Sequence, residues 1–198
     1  GLARGIYAIT GGLGGLGRRA VPLLLENGAT CVLLSSRSVQ VVRDDQSRSL
    51  PMAAVVAACD ITDHMSTLAF CCRRLAGVLH AAGIANKGLV RELDADRIQK
   101  LHRTKATGAW HLHAALAAAL LEARVLFSSV ASGISNVGLG SYATSNAFLD
   151  AHAFSCRLRG ATACSLQWPL VYGAGMGATA LAAMTERQVA ISGLAGIS

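Results

Sequence analysis

The apolar run GIYAIT (5–10) passes straight into GGLGGLGRRA, and this junction constrains the fold more than any other stretch of the chain. Gly11, Gly15 and Gly17 fit TGxxxGxG, while Gly12, Gly14 and Gly17 fit GxGxxG; either spacing leaves a turn without Cβ atoms where a strand ends and a helix begins. Glycine allows positive φ and close backbone approach, and the free N–H groups and dipole of a helix start favour a phosphate. Glycines also make ordinary strand-to-helix turns. Here the strand-turn-helix context points to a dinucleotide cradle built from Thr10, Gly11, Gly12, Leu13, Gly14, Gly15, Leu16 and Gly17.

Further short apolar runs follow at ATCVLL (29–34), AAVVAA (53–58), LAGVLH (75–80), ARVLFSS (123–129) and ACSLQW (163–168). Helix-period stretches separate them, at Leu16 to Asn27, Asp63 to Arg74, Asp94 to Leu121 with a break near Thr104, and Ser141 to Arg159. Apolar strands alternating with helices predict a doubly wound α/β Rossmann fold, with a mostly parallel sheet of six or seven strands and helices on both faces. Hydrophobic residues make up 53% and charged residues 15% of the 198, which excludes disorder and fits a single domain. The longest apolar stretch, 112–127, carries Glu122 and Arg124, so no segment reads as membrane-spanning. The Gly- and Ala-rich run after Trp168 stops where a covering helix and an edge strand are wanted, suggesting a fragment of a longer polypeptide.

The residues ending the second strand sit beside the adenosine ribose in such a fold, and they read SSRS. An acidic residue there would repel a 2′-phosphate, whereas Arg37 with Ser35 and Ser36 offers a cation and donors. NADPH is therefore expected over NADH, with a solvated Arg37 as the plain alternative. Asp60, ending the third strand, either bonds the adenine amine with Ile61 beside the ring or caps a helix.

Reduction of a ketone needs a proton donor at the developing alkoxide, a second hydrogen bond to that oxygen, and a charge stabilising the donor's conjugate base. Ser129 ends the fifth strand, Tyr142 follows thirteen residues later at a helix start, and Asn146 lies one turn on. A free phenol titrates near pH 10, so proton donation near pH 7 asks for about 4 kcal/mol of phenolate stabilisation. The ammonium of Lys105 could supply it. Each residue alone has a bland reading as a strand end, a core aromatic, a surface amide or a solvated charge; their joint placement favours chemistry.

TGGLGGLG, the HAAG at His80 to Gly83, KATGAWHLH, LFSSVAS and YATSNAFLDA together resemble the ketoreductase domains of modular polyketide and fatty-acid synthases, a branch of the short-chain dehydrogenase/reductases. The likeness runs from about Gly5 to Met176. It implies that Tyr142 protonates the carbonyl oxygen, Ser129 hydrogen-bonds it, Lys105 stabilises the phenolate and Asn146 holds the proton relay. Most of the superfamily has YxxxK; here Asn146 stands at the Lys place and Lys105 at the Asn place, the arrangement of the synthase branch. Ala81, Ala82 and Gly83 are expected to face the cofactor. The resemblance also implies an acyl-carrier-protein-tethered β-ketoacyl substrate and neighbouring synthase domains; a cytoplasmic setting is expected from the cysteine usage. Ala85, Asn86 and Lys87 replace the Leu-Asp-Asp of one stereochemical class and Ile134 the Trp of the other, leaving the hand of the alcohol open. The alternatives are a free-standing short-chain dehydrogenase acting on a small ketone or alcohol, and a catalytically silent structural module.

Eighteen Lys and Arg against eleven Asp and Glu give a net charge of +7, which favours anionic partners such as a phosphorylated cofactor or an acidic protein. Aromatics are only 5% and no basic stripe interleaves with them, so nucleic-acid binding is not expected. The six cysteines form no CxxC pair and suit a reduced compartment, and GLARGIYAIT has no secretory pattern. His111 and His113, two apart on a helix, make a poor metal pair, and no metal is expected. His80 reads as a satisfied buried imidazole, Trp110 and Trp168 as packing residues with Trp168 near the cleft, and 170–183 as either a lid or a disordered end.

Overall fold

The computed structural model describes residues 1–37, 50–84, 88–134 and 137–171. Ala85, Asn86, Lys87 and all but the first two residues of the 170–183 stretch lie outside the described residues. The elements run β1 (Ile6–Thr10), α1 (Gly15–Glu26), β2 (Cys31–Ser36), β3 (Ala54–Ala58), α2 (His64–Cys71), β4 (Leu75–His80), α3 (Ala95–His102), a π turn (Arg103–Thr107), α4 (Gly108–Ala115), β5 (Ala123–Ser129), α5 (Gly140–Leu158) and β6 (Cys164–Trp168). Six strands form one sheet in the order β3-β2-β1-β4-β5-β6, and every pairing is parallel. This is the Rossmann-like arrangement expected from the alternating pattern.

Period-two alternation in the strands sorts the core into two layers. Tyr7, Ile9, Val32, Leu34, Leu79 and Phe127 pack with Val21 and Leu24 of α1 on one face. Their neighbours Ala8, Leu33 and Val78 point the other way, onto Phe70 and Cys71 of α2 and Leu112 of α4. On that second face Leu126 meets Leu149, Ala153 and Cys156 of α5. Burial on both faces explains why the strands read as nearly continuous apolar runs.

Helix starts differ in a way that bears on ligands. Asp63 caps α2 by accepting from the Ser66 N–H at 2.7 Å, and Asp94 caps α3 by accepting from the Arg97 N–H at 2.7 Å. Gly14, at the N-cap of α1, supplies no side-chain cap, and the first turn carries no acidic residue. The parallel register brings the ends of all six strands to one edge of the sheet, with Thr10 beside Ser35 on one side and His80 on the other. Strand order reverses between β1 and β4, so the crevice that open α/β sheets use for ligands opens above Thr10 and His80.

Candidate active site

The glycine turn is packed against the end of β4. Gly11 has φ +64°, and a Cβ there would lie 2.6 Å from the Ala82 Cα. Only glycine fits that backbone and that approach. Gly12 N–H donates to the Ser35 carbonyl at 3.1 Å, and Gly14 N–H to the Gly11 carbonyl at 2.9 Å, closing the turn before α1 begins. Gly12 and Gly17 are buried, Gly14 is exposed, and Leu13, Gly15 and Leu16 are half-buried. Thr10 is wholly buried, its hydroxyl bonded to His80 at 2.7 Å.

Ser36 is half-buried at the end of β2, and the exposed Arg37 follows it. Asp60 Oδ1 accepts from the backbone N–H of Thr62 at 2.9 Å and from its hydroxyl at 2.8 Å. Burial pushes the Asp60 carboxyl up, but the Thr62 bonds and the charges of Arg37 and Arg103 outweigh this and hold it below the usual range. The capping alternative for Asp60 falls to Asp63 instead. Ile61, expected beside an adenine ring, is 5% exposed and belongs to the core, and its carbonyl lies 3.1 Å from His111 Nδ1. Its side chain has almost no face left to offer a ligand.

Lys105 comes from the π turn, the point where the helical pattern breaks near Thr104. Widened turns of this kind are rare and concentrate at functional sites. The side chain is 4% exposed, and its ammonium donates to the Phe127 carbonyl at 2.7 Å. The same nitrogen lies 5.7 Å from the centre of the Tyr142 ring. Gly83 makes room for it, since a Cβ at that position would stand 2.8 Å from Lys105 Cε. Burial brings the Lys105 ammonium down to about 8, with Asp150 pulling the other way.

Ser129 closes β5 two residues beyond Phe127, and its Oγ accepts from the Ala131 N–H at 3.2 Å. That bond leaves the hydroxyl hydrogen to donate elsewhere. Asn146 is wholly buried; its Nδ2 donates to the Tyr142 carbonyl at 2.8 Å, while its Oδ1 has no hydrogen-bond partner among the described residues. A buried unpaired acceptor costs about 1–3 kcal/mol, so this oxygen asks for a water or a donor. Ala81 and Gly83 remain half-buried at the crevice, and Ala82 is buried under the glycine turn.

Of the two tryptophan readings, one changes in the fold. Trp110, expected to pack, is 53% exposed and stacks on His113 at 5.6 Å. Trp168 does pack, with its ring 5.4 Å from that of Phe127. His113 meets His152 and Cys156, an i, i+4 pair on α5, and their ligand atoms all lie within 4.8 Å of one another. A guanidinium already stands among these lone pairs: Arg124 Nη1 is 2.9 Å from His113 Nδ1 and 3.8 Å from Cys156 Sγ. The cluster is a buried polar network around a cation rather than an open metal site. Chain spacing could not reveal it, because its members come from α4, β5 and α5.

A KR-domain family model matches residues 5–173. The chain is 39% identical over 175 residues to erythronolide synthase EryA2 of Saccharopolyspora erythraea, an alignment covering 84% of this chain and 5% of that one. It is 35% identical over 206 residues to the spectinabilin polyketide synthase system protein NorB of Streptomyces orinoci, covering 98% and 10%. It thus spans a tenth or less of these two synthases. Among solved structures, A-type ketoreductases from a modular polyketide synthase match with a TM-score of 0.82 at 34% identity, over 90% of this chain and 40% of that chain. The first ketoreductase of the tylosin polyketide synthase matches with a TM-score of 0.79 at 33% identity, over 89% and 40%. A short-chain dehydrogenase from Streptomyces avermitilis, 19% identical with a TM-score of 0.74 over 86% and 67%, shares the fold.

Proposed function

The chain belongs to the KR-domain family, the ketoreductases of polyketide synthases that reduce a β-keto group, and from that premise we propose NADPH-dependent reduction of a β-ketoacyl group to the β-hydroxyacyl group. The observation that carries this reading is the buried Lys105 ammonium, anchored on the Phe127 carbonyl and 5.7 Å from the Tyr142 ring.

The cofactor fits the residues present. The cradle that a Cβ at Gly11 would fill and the uncapped start of α1 suit a pyrophosphate, while Arg37 and Ser36 suit a 2′-phosphate. Asp60, through its remaining carboxylate oxygen, and Ala81 to Gly83 complete the set. When bound, NADPH supplies the hydride that the carbonyl carbon accepts.

Tyr142 holds the proton that the carbonyl oxygen takes, and Ser129 donates a second hydrogen bond to that oxygen. The Lys105 ammonium stabilises the phenolate left on Tyr142. Asn146 Oδ1, buried and unpaired among the described residues, offers an acceptor for the water that returns a proton to Lys105. The substrate reading extends to an acyl chain tethered to an acyl carrier protein, whose acidic surface would suit the net charge of +7. The small share of its synthase relatives that the chain spans supports a single catalytic domain working beside neighbouring domains of a larger synthase, and six cysteines without a CxxC pair suit a cytoplasmic setting.

The test is NADPH oxidation with a simple ketone such as trans-1-decalone, with the alcohol product identified. Tight NADPH binding without turnover would favour a silent structural module.

A further inference from the structure

His80 takes no part in the proton transfer proposed above, yet it is wholly buried and spans two parts of the site. It ends β4, paired in the sheet with Thr10 of β1 on one side and Leu126 of β5 on the other. Its Nδ1 lies 2.7 Å from the Thr10 hydroxyl and its Nε2 lies 3.0 Å from the backbone carbonyl of Lys105. A carbonyl only accepts, so Nε2 carries the hydrogen and Nδ1 accepts from Thr10. The ring is neutral, as its burial and the nearby Lys105 charge require.

The carbonyl that His80 grips lies within the π turn, where the Gly108 N–H reaches both it and the Arg103 carbonyl. A widened turn has weaker internal bonding than an α-helix and depends on outside contacts for its shape. Lys105 is therefore held at two ends: its backbone by His80 and its ammonium by the Phe127 carbonyl. Thr10, at the other end of the imidazole, leads directly into the glycine turn, so one short chain of hydrogen bonds joins the phosphate cradle to the lysine. We propose that His80 is a positioning residue that fixes the π turn and so sets the Lys105 ammonium against Tyr142, tying its place to the cofactor turn.

This inference rests on the catalytic reading of Lys105, and a double-mutant cycle separates the two. His80→Phe fills the ring volume and removes both bonds. In the wild-type background it should lower kcat for trans-1-decalone by about 10- to 100-fold while KM and NADPH binding change little, because only the relay is misplaced. In a Lys105→Met background it should cost nothing further. Losses that multiply in the double variant, or a His80→Phe protein with wild-type kcat, would overturn the proposal. If His80→Phe does not fold, Thr10→Val removes the donor to Nδ1 at constant shape and should show the same loss, again absent with Lys105→Met; no loss or a multiplied one overturns it. Wild-type activity untouched by Lys105→Met alone would instead sink the reading of Lys105, and with it this one.

Discussion

The Lys105 ammonium donates to the Phe127 carbonyl at 2.7 Å and stands 5.7 Å from the centre of the Tyr142 ring, although the three residues come from a π turn, a strand and a helix. Among the described residues no carboxylate bonds to it, so this charge is held at a cost to folding, and its stability and activity consequences run in opposite directions.

Lys105→Met should lower turnover by about 10²–10⁴-fold, the range for a group supporting general acid catalysis, yet leave Tm unchanged or raised. Burial brings the folded-state ammonium from 10.5 to about 8. Between those two values the unfolded chain binds more protons, so wild-type stability gains as pH rises through that window and the gap to the Met variant closes. Activity should fall over the same window as the ammonium is lost. Thermal melts and kcat at pH 7 and above pH 9 check both signs.

Tyr142→Phe should abolish turnover while leaving NADPH binding nearly intact, because the ring remains beside Lys105 and only the phenolic proton goes. A ketone-reduction assay paired with cofactor titration by fluorescence reads the two effects separately; retained activity would remove Tyr142 as the acid.

Gly83→Ala should cost more activity than stability. The added Cβ would meet Lys105 Cε at 2.8 Å and Nζ at 3.3 Å, and the far end of a flexible side chain yields more easily than backbone. The lysine shifts and the fold survives. A drop in kcat of about tenfold or more with a Tm loss of only a few degrees is the expected pattern; loss of fold without separate loss of kcat would contradict it.

Arg37→Ala should weaken NADPH far more than NADH, since only the former carries the 2′-phosphate that a guanidinium would meet. Dissociation constants for both cofactors decide it, and equal losses would remove the assignment.

Asp150→Ala tests how β6 is tied to α5. Its carboxylate accepts from the Ser165 hydroxyl at 2.5 Å and from Gln167 Nε2 at 2.8 Å. Burial pushes this carboxyl up, but hydrogen bonds from Ser165, Ser132, Gln167 and Ser128 outweigh it and hold it below its usual range. A group depressed in the fold stabilises above its unfolded pKa and loses that contribution as pH falls through the folded one. The substitution should cost about 1–3 kcal/mol near pH 7, and denaturant titrations should show the difference shrinking in acid.

The sheet was legible because its strands are buried on both faces: LAGVLH and ARVLFSS match β4 and β5 to the residue, while ATCVLL starts two residues before β2 and stops two short of its Ser35–Ser36 end. The break near Thr104 was visible as a lapse in helical period, but a lapse does not say whether the chain bends, stops or widens. The glycine turn could be read from spacing, since strand ends and helix starts carry local signals, whereas Ser129, Tyr142, Asn146 and Lys105 could be named as a candidate set from residue chemistry together with the family resemblance. Contacts set by the fold could not. The core place of Ile61, the exposure of Trp110 and the Arg124 network each depend on residues far away in the chain.

The π turn also makes chain length a determinant in its own right. A five-residue widened turn absorbs one residue that an unbroken α-helix would not, and each residue rotates a helix by about 100°. A one-codon deletion within Arg103–Thr107 would remove that extra residue, so α3 would run on smoothly into α4 with Ala109 and Leu112 still facing the core, and the bulge that presents Lys105 would be gone. Such a deletion would spare the packing of α4 and strike catalysis alone, whereas the same deletion inside α3 or α4 would rotate every residue beyond it.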